Sequence, residues 1–136
     1  SGQGNGLSVS RQLYKGDEAL NESVPLKVGD KITVRLTVKA DRDMDFVQIK
    51  DDRAACMEPL QAVSGFRWGN GLGYYQATKD ASTQFFIDQM RKGTYVIEYQ
   101  VYVNRTGEYQ AGIATVQSAY APEFGGHTGG YRVMVE

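Results

Sequence analysis

The chain holds one histidine, His127, and one cysteine, Cys56. His127 lies in Tyr120-Ala121-Pro122-Glu123-Phe124-Gly125-Gly126-His127-Thr128-Gly129-Gly130, a stretch with four glycines and a carboxylate. Those residue types could serve as a general base, a metal site or a phosphate cradle. Each of these needs companions. A phosphate-binding loop requires a lysine followed by Ser or Thr and a helix behind it, and "GGHTGG" has neither. Zinc requires several clustered ligands, which one histidine and one cysteine do not supply. A serine nucleophile requires a base and a sharp presenting turn. Ser118 is close in sequence, but no Gly-x-Ser-x-Gly surrounds it. His127 therefore reads as a solvent-facing loop residue. Cys56, with Arg53 as its one nearby basic neighbour, reads as a small, partly buried residue.

The carboxylates give no stronger signal. Asp41, Asp43 and Asp45 in "DRDMD" stand at the first, third and fifth positions of a calcium loop. The sixth position, where a sharp turn needs glycine, is Phe46, and the twelfth, where glutamate belongs, is Asp52. The segment reads as a turn between strands. Glycoside chemistry needs two carboxylates facing one bond, yet Asp51 and Asp52 are adjacent and would point to opposite faces of a strand. No catalytic, cofactor-binding or metal residues are assigned, and the chain reads as non-enzymatic.

The elements that would position these residues are strands. In Lys31–Ala40, "KITVRLTVKA", Ile32, Val34, Leu36, Val38 and Ala40 alternate with polar residues, the period of a strand with one wet face. Thr94–Asn104 places Tyr95, Ile97, Tyr99, Val101 and Val103 on one face. A short turn then leads into Glu108–Gln117, which predicts a hairpin with the preceding strand. Tyr109, Ala111 and Ile113 would face inward there, with a bulge near Gly112–Thr115 because Val116 is out of phase. Weaker strands are expected at Leu7–Leu13, at Asp45–Lys50 led by Phe46 or Val47, at Gln84–Gln89 and at Tyr131–Val135. About seven antiparallel strands and no long helical stripe predict an all-β, immunoglobulin-like β-sandwich. Ala54–Ala81 is too long for a hairpin loop. It reads as an extended segment packed on the sandwich edge, with a sugar platform of Trp68, Tyr74 and Tyr75 as the alternative, which would make the protein a surface adhesin or carbohydrate-binding module.

The chain has 136 residues and a formal net charge of −1. That length suits one domain, and the charge gives no electrostatic case for nucleic acid or an anionic membrane as partner. No apolar run approaches the roughly 20 residues of a spanning helix. Residues 1–6, "SGQGNG", read as a linker or expression remnant, with one domain over 7–136.

Four ordered pieces, running from about Phe46 to Val135, resemble the C-terminal macroglobulin domain of bacterial alpha-2-macroglobulin-like proteins. They are "FVQIKDDRAACMEPL", "GYYQATKDASTQFFIDQMRKGTYVIEYQVYV", "TGEYQAGIATVQSAYAPEF" and the glycine-rich turn with its closing strand. The resemblance implies a long multidomain envelope protein, often a periplasm-facing lipoprotein, that traps host or competitor proteases after cleavage of a bait region. In many members of this family a Cys-Gln thioester in a separate helical domain captures the protease. The C-terminal domain is an immunoglobulin-like sandwich, similar to the receptor-binding domain of the animal proteins, and packs on the thioester domain. Its partners would be neighbouring domains of the same chain, and it needs no cofactor. The family's Met-Tyr-Ala-Pro is associated with shielding the thioester. Here Tyr120, Ala121 and Pro122 match, followed by Glu123, and the resemblance makes these four the interdomain contact. Ala119 stands in the methionine position, which implies a smaller shield. Cys56 is followed by Met57, Glu58 and Pro59, so no Cys-x-x-Gln thioester lies in this chain.

Overall fold

The computed structural model describes residues 3–4, 6–21, 23–60, 65–69 and 71–136, the side chains of 3–4 and 66–69 excepted. The described residues form fourteen strands and no helix. They are β1 (Gln3–Gly4), β2 (Leu7–Lys15), β3 (Glu18–Ala19), β4 (Lys31–Ala40), β5 (Met44–Asp52), β6 (Met57–Pro59) and β7 (Gly65–Gly69), then β8 (Leu72–Thr78), β9 (Ser82–Met90), β10 (Gly93–Val103), β11 (Gly107–Ala111), β12 (Ala114–Ser118), β13 (Gly125–His127) and β14 (Tyr131–Val135). Three antiparallel sheets result. One runs β1-β13-β12-β5-β9-β8-β7, the second β3-β2-β4-β10-β6, and the third pairs β11 with β14.

The alternation expected for β4 and β10 is what builds the core. Ile32, Val34, Leu36, Val38 and Ala40 are all buried, as are Ile97, Tyr99, Val101 and Val103. The two strands pair over ten residues, from Gly93 opposite Ala40 to Tyr102 opposite Lys31. From the seven-stranded sheet, Val47, Ile49, Phe85, Ile87 and Val116 enter the same hydrophobic cluster. A side chain such as Phe85 or Leu36, wholly removed from water, contributes about 2 kcal/mol. The fold is the all-β sandwich that the sequence predicts.

Several expectations need correcting. The hairpin of Thr94–Asn104 with Glu108–Gln117 does not form. Both edges of β10 are already occupied, one by β4 and the other by β6, so no ladder is open to the following segment. That segment instead divides at Gly112–Ile113. β11 pairs with β14, while β12 pairs with β5 and β13. The break falls where a bulge was expected, and it reverses the inward assignment of Ile113, which is 38% exposed while Val116 is buried. In β5 the core residue is Val47, and Phe46 is 45% exposed. The expectation for Ala54–Ala81 does hold for its described residues, which lie at sheet edges: β6 closes one sheet, and the β7–β8 hairpin closes another. Of the expected linker 1–6, Gln3 and Gly4 pair with His127 and Gly126 and so extend the sheet.

Candidate functional site

The residues with chemical potential are dispersed and already engaged. His127 is exposed on β13 opposite Thr115. Cys56 is fully buried, and burial raises its thiol pKa, the opposite of what a nucleophile requires. The Ser118 hydroxyl donates to the Asp45 carbonyl at 3.2 Å. In the Asp41–Asp45 turn, Asp41 pairs with Arg42 at 2.8 Å, and Asp43 accepts from the Lys92 amide at 2.8 Å. Among the described residues no three His, Cys, Asp or Glu side chains are grouped to hold a metal.

The glycines around His127 have a steric explanation. A Cβ on Gly125 would lie 2.7 Å from the Val116 carbonyl oxygen, and one on Gly130 would lie 2.7 Å from that of Ala111. Both contacts are closer than real Cβ atoms come. Close backbone approach thus explains Gly125 and Gly130, whereas a Cβ on Gly129 would meet open space.

A polar cluster lies inside the sandwich, and no spacing or motif in the sequence points to it. Arg11 on β2 and Asp51 on β5 form an ion pair in which both side chains are 3% exposed. The Tyr99 hydroxyl of β10 donates to the other Asp51 oxygen. The second Arg11 terminal nitrogen donates to the Gly112 carbonyl at 2.6 Å and the Gly129 carbonyl at 3.1 Å. Its guanidinium lies 4.8 Å from the Tyr131 ring centroid. Burial pushes the Asp51 carboxyl above its ordinary pKa, against the pull of Arg11 and Tyr99. Burial and the neighbouring Asp51 charge lift the Tyr99 phenol well above its usual value. Every group is partnered and shielded from water, so this is a clasp between sheets rather than a reaction centre.

The four residues assigned by resemblance lie together in the loop between β12 and β13. Phe124 N donates to the Ala121 carbonyl at 2.8 Å, and Ser118 N donates to the Phe124 carbonyl at 3.2 Å, which fastens the loop at its base. Tyr120 is 78% exposed. Pro122 and Glu123 are exposed and Ala121 is half-buried. Ala119, beside them, is exposed too, and its amide donates to the Phe46 carbonyl at 2.9 Å. The Tyr120 ring stands edge-on to the Phe46 ring, with centroids 5.0 Å apart and planes at 83°. Arg42 lies over Phe124 at 4.6 Å. The loop thus presents an apolar tip on a charged rim, an arrangement suited to a protein contact.

The other aromatic candidates divide. Tyr74 packs edge-on against buried Phe85 at 5.7 Å, whereas Tyr75 lies beside the half-exposed Phe86 at 6.5 Å. Trp68 is in β7 opposite Gly73, and its side chain lies outside the described residues. Tyr74, Tyr75, Phe86, Asp88, Gln89 and Tyr95 border an open depression of about 790 Å³.

Comparison with known proteins places this arrangement. A model described as "Bacterial Alpha-2-macroglobulin MG10 domain" matches residues 6–123. An alpha-2-macroglobulin homolog of Nostoc sp. is 26% identical over 155 residues, covering 99% of this chain and 8% of the relative. Circularly permutated Ras protein 2 of Dictyostelium discoideum is 27% identical over 138 residues, covering 96% of this chain and 4% of that protein. Among solved structures, a tyrosine-to-glycine mutant of Salmonella alpha-2-macroglobulin matches with a TM-score of 0.82 at 19% identity, covering 99% of this chain and 9% of that one. A native Escherichia coli alpha-2-macroglobulin fragment, from domain MG7 to the C-terminus, matches with a TM-score of 0.81 at 17% identity, covering 99% of this chain and 24% of that one. The chain spans less than a tenth of the length of both curated relatives.

Proposed function

The chain belongs to the bacterial alpha-2-macroglobulin MG10 domain family, and from that premise we propose that it is a non-enzymatic C-terminal module of a longer protease inhibitor. Residues 7–136 act as one unit that packs on a neighbouring thioester-type domain and holds the uncleaved conformation. The contact is Tyr120, Ala121, Pro122 and Glu123, with Tyr120 as its centre. The parent resides in the cell envelope, on the periplasmic side or at the surface, and meets proteases of hosts or competitors only through the assembled molecule.

One observation carries this reading. A tyrosine ring that is 78% exposed stands on a loop fastened by two backbone hydrogen bonds. An exposed ring on a fixed loop adds little stability to the isolated domain, yet it brings a large contact area with little ordering entropy left to lose on docking. Removing such an anchor from a packed interface costs about 2 kcal/mol of contact free energy. The test is Tyr120→Ala in the full-length protein, read by small-angle scattering and by the rate of cleavage at interdomain segments. A more open particle with faster cleavage supports the role. An unchanged particle removes it.

A second reading, sugar binding, is favoured by Tyr75, Phe86 and Tyr95 bordering the open depression with Asp88 and Gln89. Aromatic faces there would stack on sugar rings while the carboxylate and amide bonded hydroxyls. A glycan array with wild type and Tyr75→Ala separates the two, because absence of glycan binding by the wild type ends this reading.

A further inference from the structure

Phe46 is poorly explained by the isolated domain. Its φ is +55°, and among the described residues it is the one non-glycine residue with positive φ. Bulky side chains rarely adopt that conformation, and such outliers collect at functional contacts. Asp45 opposite Gln89 and Val47 opposite Ile87 keep one register on either side, so the kink accommodates no inserted residue. The ring is not buried in return: Phe46 is 45% exposed. A glycine would take the same backbone without strain. The domain therefore holds a large apolar side chain in an unfavourable conformation and leaves much of it in water.

Phe46 does have two firm connections, and both lead to the same loop. Its ring meets Tyr120 edge-on with centroids 5.0 Å apart. Its carbonyl accepts the Ala119 amide at 2.9 Å, and the preceding Asp45 carbonyl accepts the Ser118 hydroxyl at 3.2 Å. The kink in β5 and the end of β12 are thus tied together, and the two rings form one apolar knob. Nearby, Asp41 and Arg42 pair with each other, which leaves the knob apolar and its border charged.

We propose that Phe46 is a second anchor of the interdomain contact, held in its left-handed conformation so that its ring both props Tyr120 and docks beside it. This rests on the reading of Tyr120 given above. The occupant is the neighbouring domain of the same longer polypeptide. Two observations favour it: the surface is continuous with Tyr120, and the similar solved chains are far longer than this one, which covers 9% and 24% of them. The partner surface is an apolar hollow wide enough for two rings, with a hydrogen-bond acceptor for the Tyr120 hydroxyl.

The experiment compares Phe46→Gly, Phe46→Leu and Tyr120→Ala in the full-length protein by limited proteolysis and by hydrogen exchange over residues 44–50 and 117–124. Thermal melting of the 136-residue chain accompanies each variant. Phe46→Gly should melt at or above the wild-type temperature, because strain is relieved, yet raise interdomain cleavage at least five-fold. Phe46→Leu keeps strain and much of the apolar area and should raise it less. Phe46→Asn, which also tolerates left-handed backbone, stands in if the glycine variant folds poorly and should behave like it. If Tyr120→Ala opens the molecule and Phe46→Gly does not, this inference is overturned while the Tyr120 reading stands. If neither opens it, both fall together.

Discussion

Two regions of the molecule invert the usual expectation about where polar and apolar residues belong. Arg11, Asp51 and Tyr99 form a charged cluster with the ion pair 3% exposed. Tyr120 and Phe46 form an aromatic pair that faces water at 78% and 45% exposure. The buried charges are satisfied within the domain and join β2, β5 and β10, strands of both large sheets. The exposed rings meet each other edge-on, and much of their remaining surface is left in water. Residues that look chemical thus serve architecture, and under the proposed contact the residues that look like misplaced core would serve recognition.

This contrast can be broken or sharpened by substitution, and the largest effect belongs to the buried side. Arg11→Met leaves the Asp51 carboxylate without its cation, a loss of about 3–5 kcal/mol by chemical denaturation. The double change Arg11→Met with Asp51→Leu should recover much of that, since an apolar pair often replaces a buried ion pair at little loss. A double variant as unstable as the single one would mean that the clasp does more than satisfy its own charges. Next in size is Gly130→Ala, whose methyl meets the Ala111 carbonyl and should cost about 1–3 kcal/mol, read as a lowered melting temperature. Alkaline pH gives a graded effect. The folded state raises the Tyr99 phenol well above 10.0, so it keeps a proton that the unfolded chain loses. Stability is intact below pH 10 and falls as pH rises above it, by up to about 1.4 kcal/mol per pH unit. Tyr99→Phe should reduce that slope in melts taken across the range, the remainder coming from the Tyr131 phenol, which burial also raises. The smallest effect is on the exposed side: Tyr120→Ala should shift the stability of this chain by no more than about 0.5 kcal/mol. A large loss there would make Tyr120 a fold residue and erase the contrast.

The legibility of these regions in the sequence follows their physics. β4 and β10 were readable because each buries one face, and burial of one face imposes period-2 alternation. Strand partners were not readable: the hairpin assigned to Thr94–Asn104 and Glu108–Gln117 fails because β6, from a distant segment, had already taken the free edge of β10. The clasp was invisible since Arg11 and Asp51 are 40 residues apart and their strands belong to different sheets. Asp51 could only be weighed against its neighbour Asp52. The glycines at 125 and 130 are legible as backbone features, though close approach matters there rather than turning alone. Phe46 competed with Val47 for the core, and nothing local reveals that its backbone is left-handed.

The central claim is that Tyr120 serves a contact beyond this domain and not the domain's own fold. It is tested most directly by Tyr120→Ala made in both the isolated chain and the full-length protein, with melting temperature read in the first and interdomain cleavage rate in the second. The account predicts an unchanged melting temperature alongside markedly faster cleavage. A lowered melting temperature with an unchanged cleavage rate would contradict it.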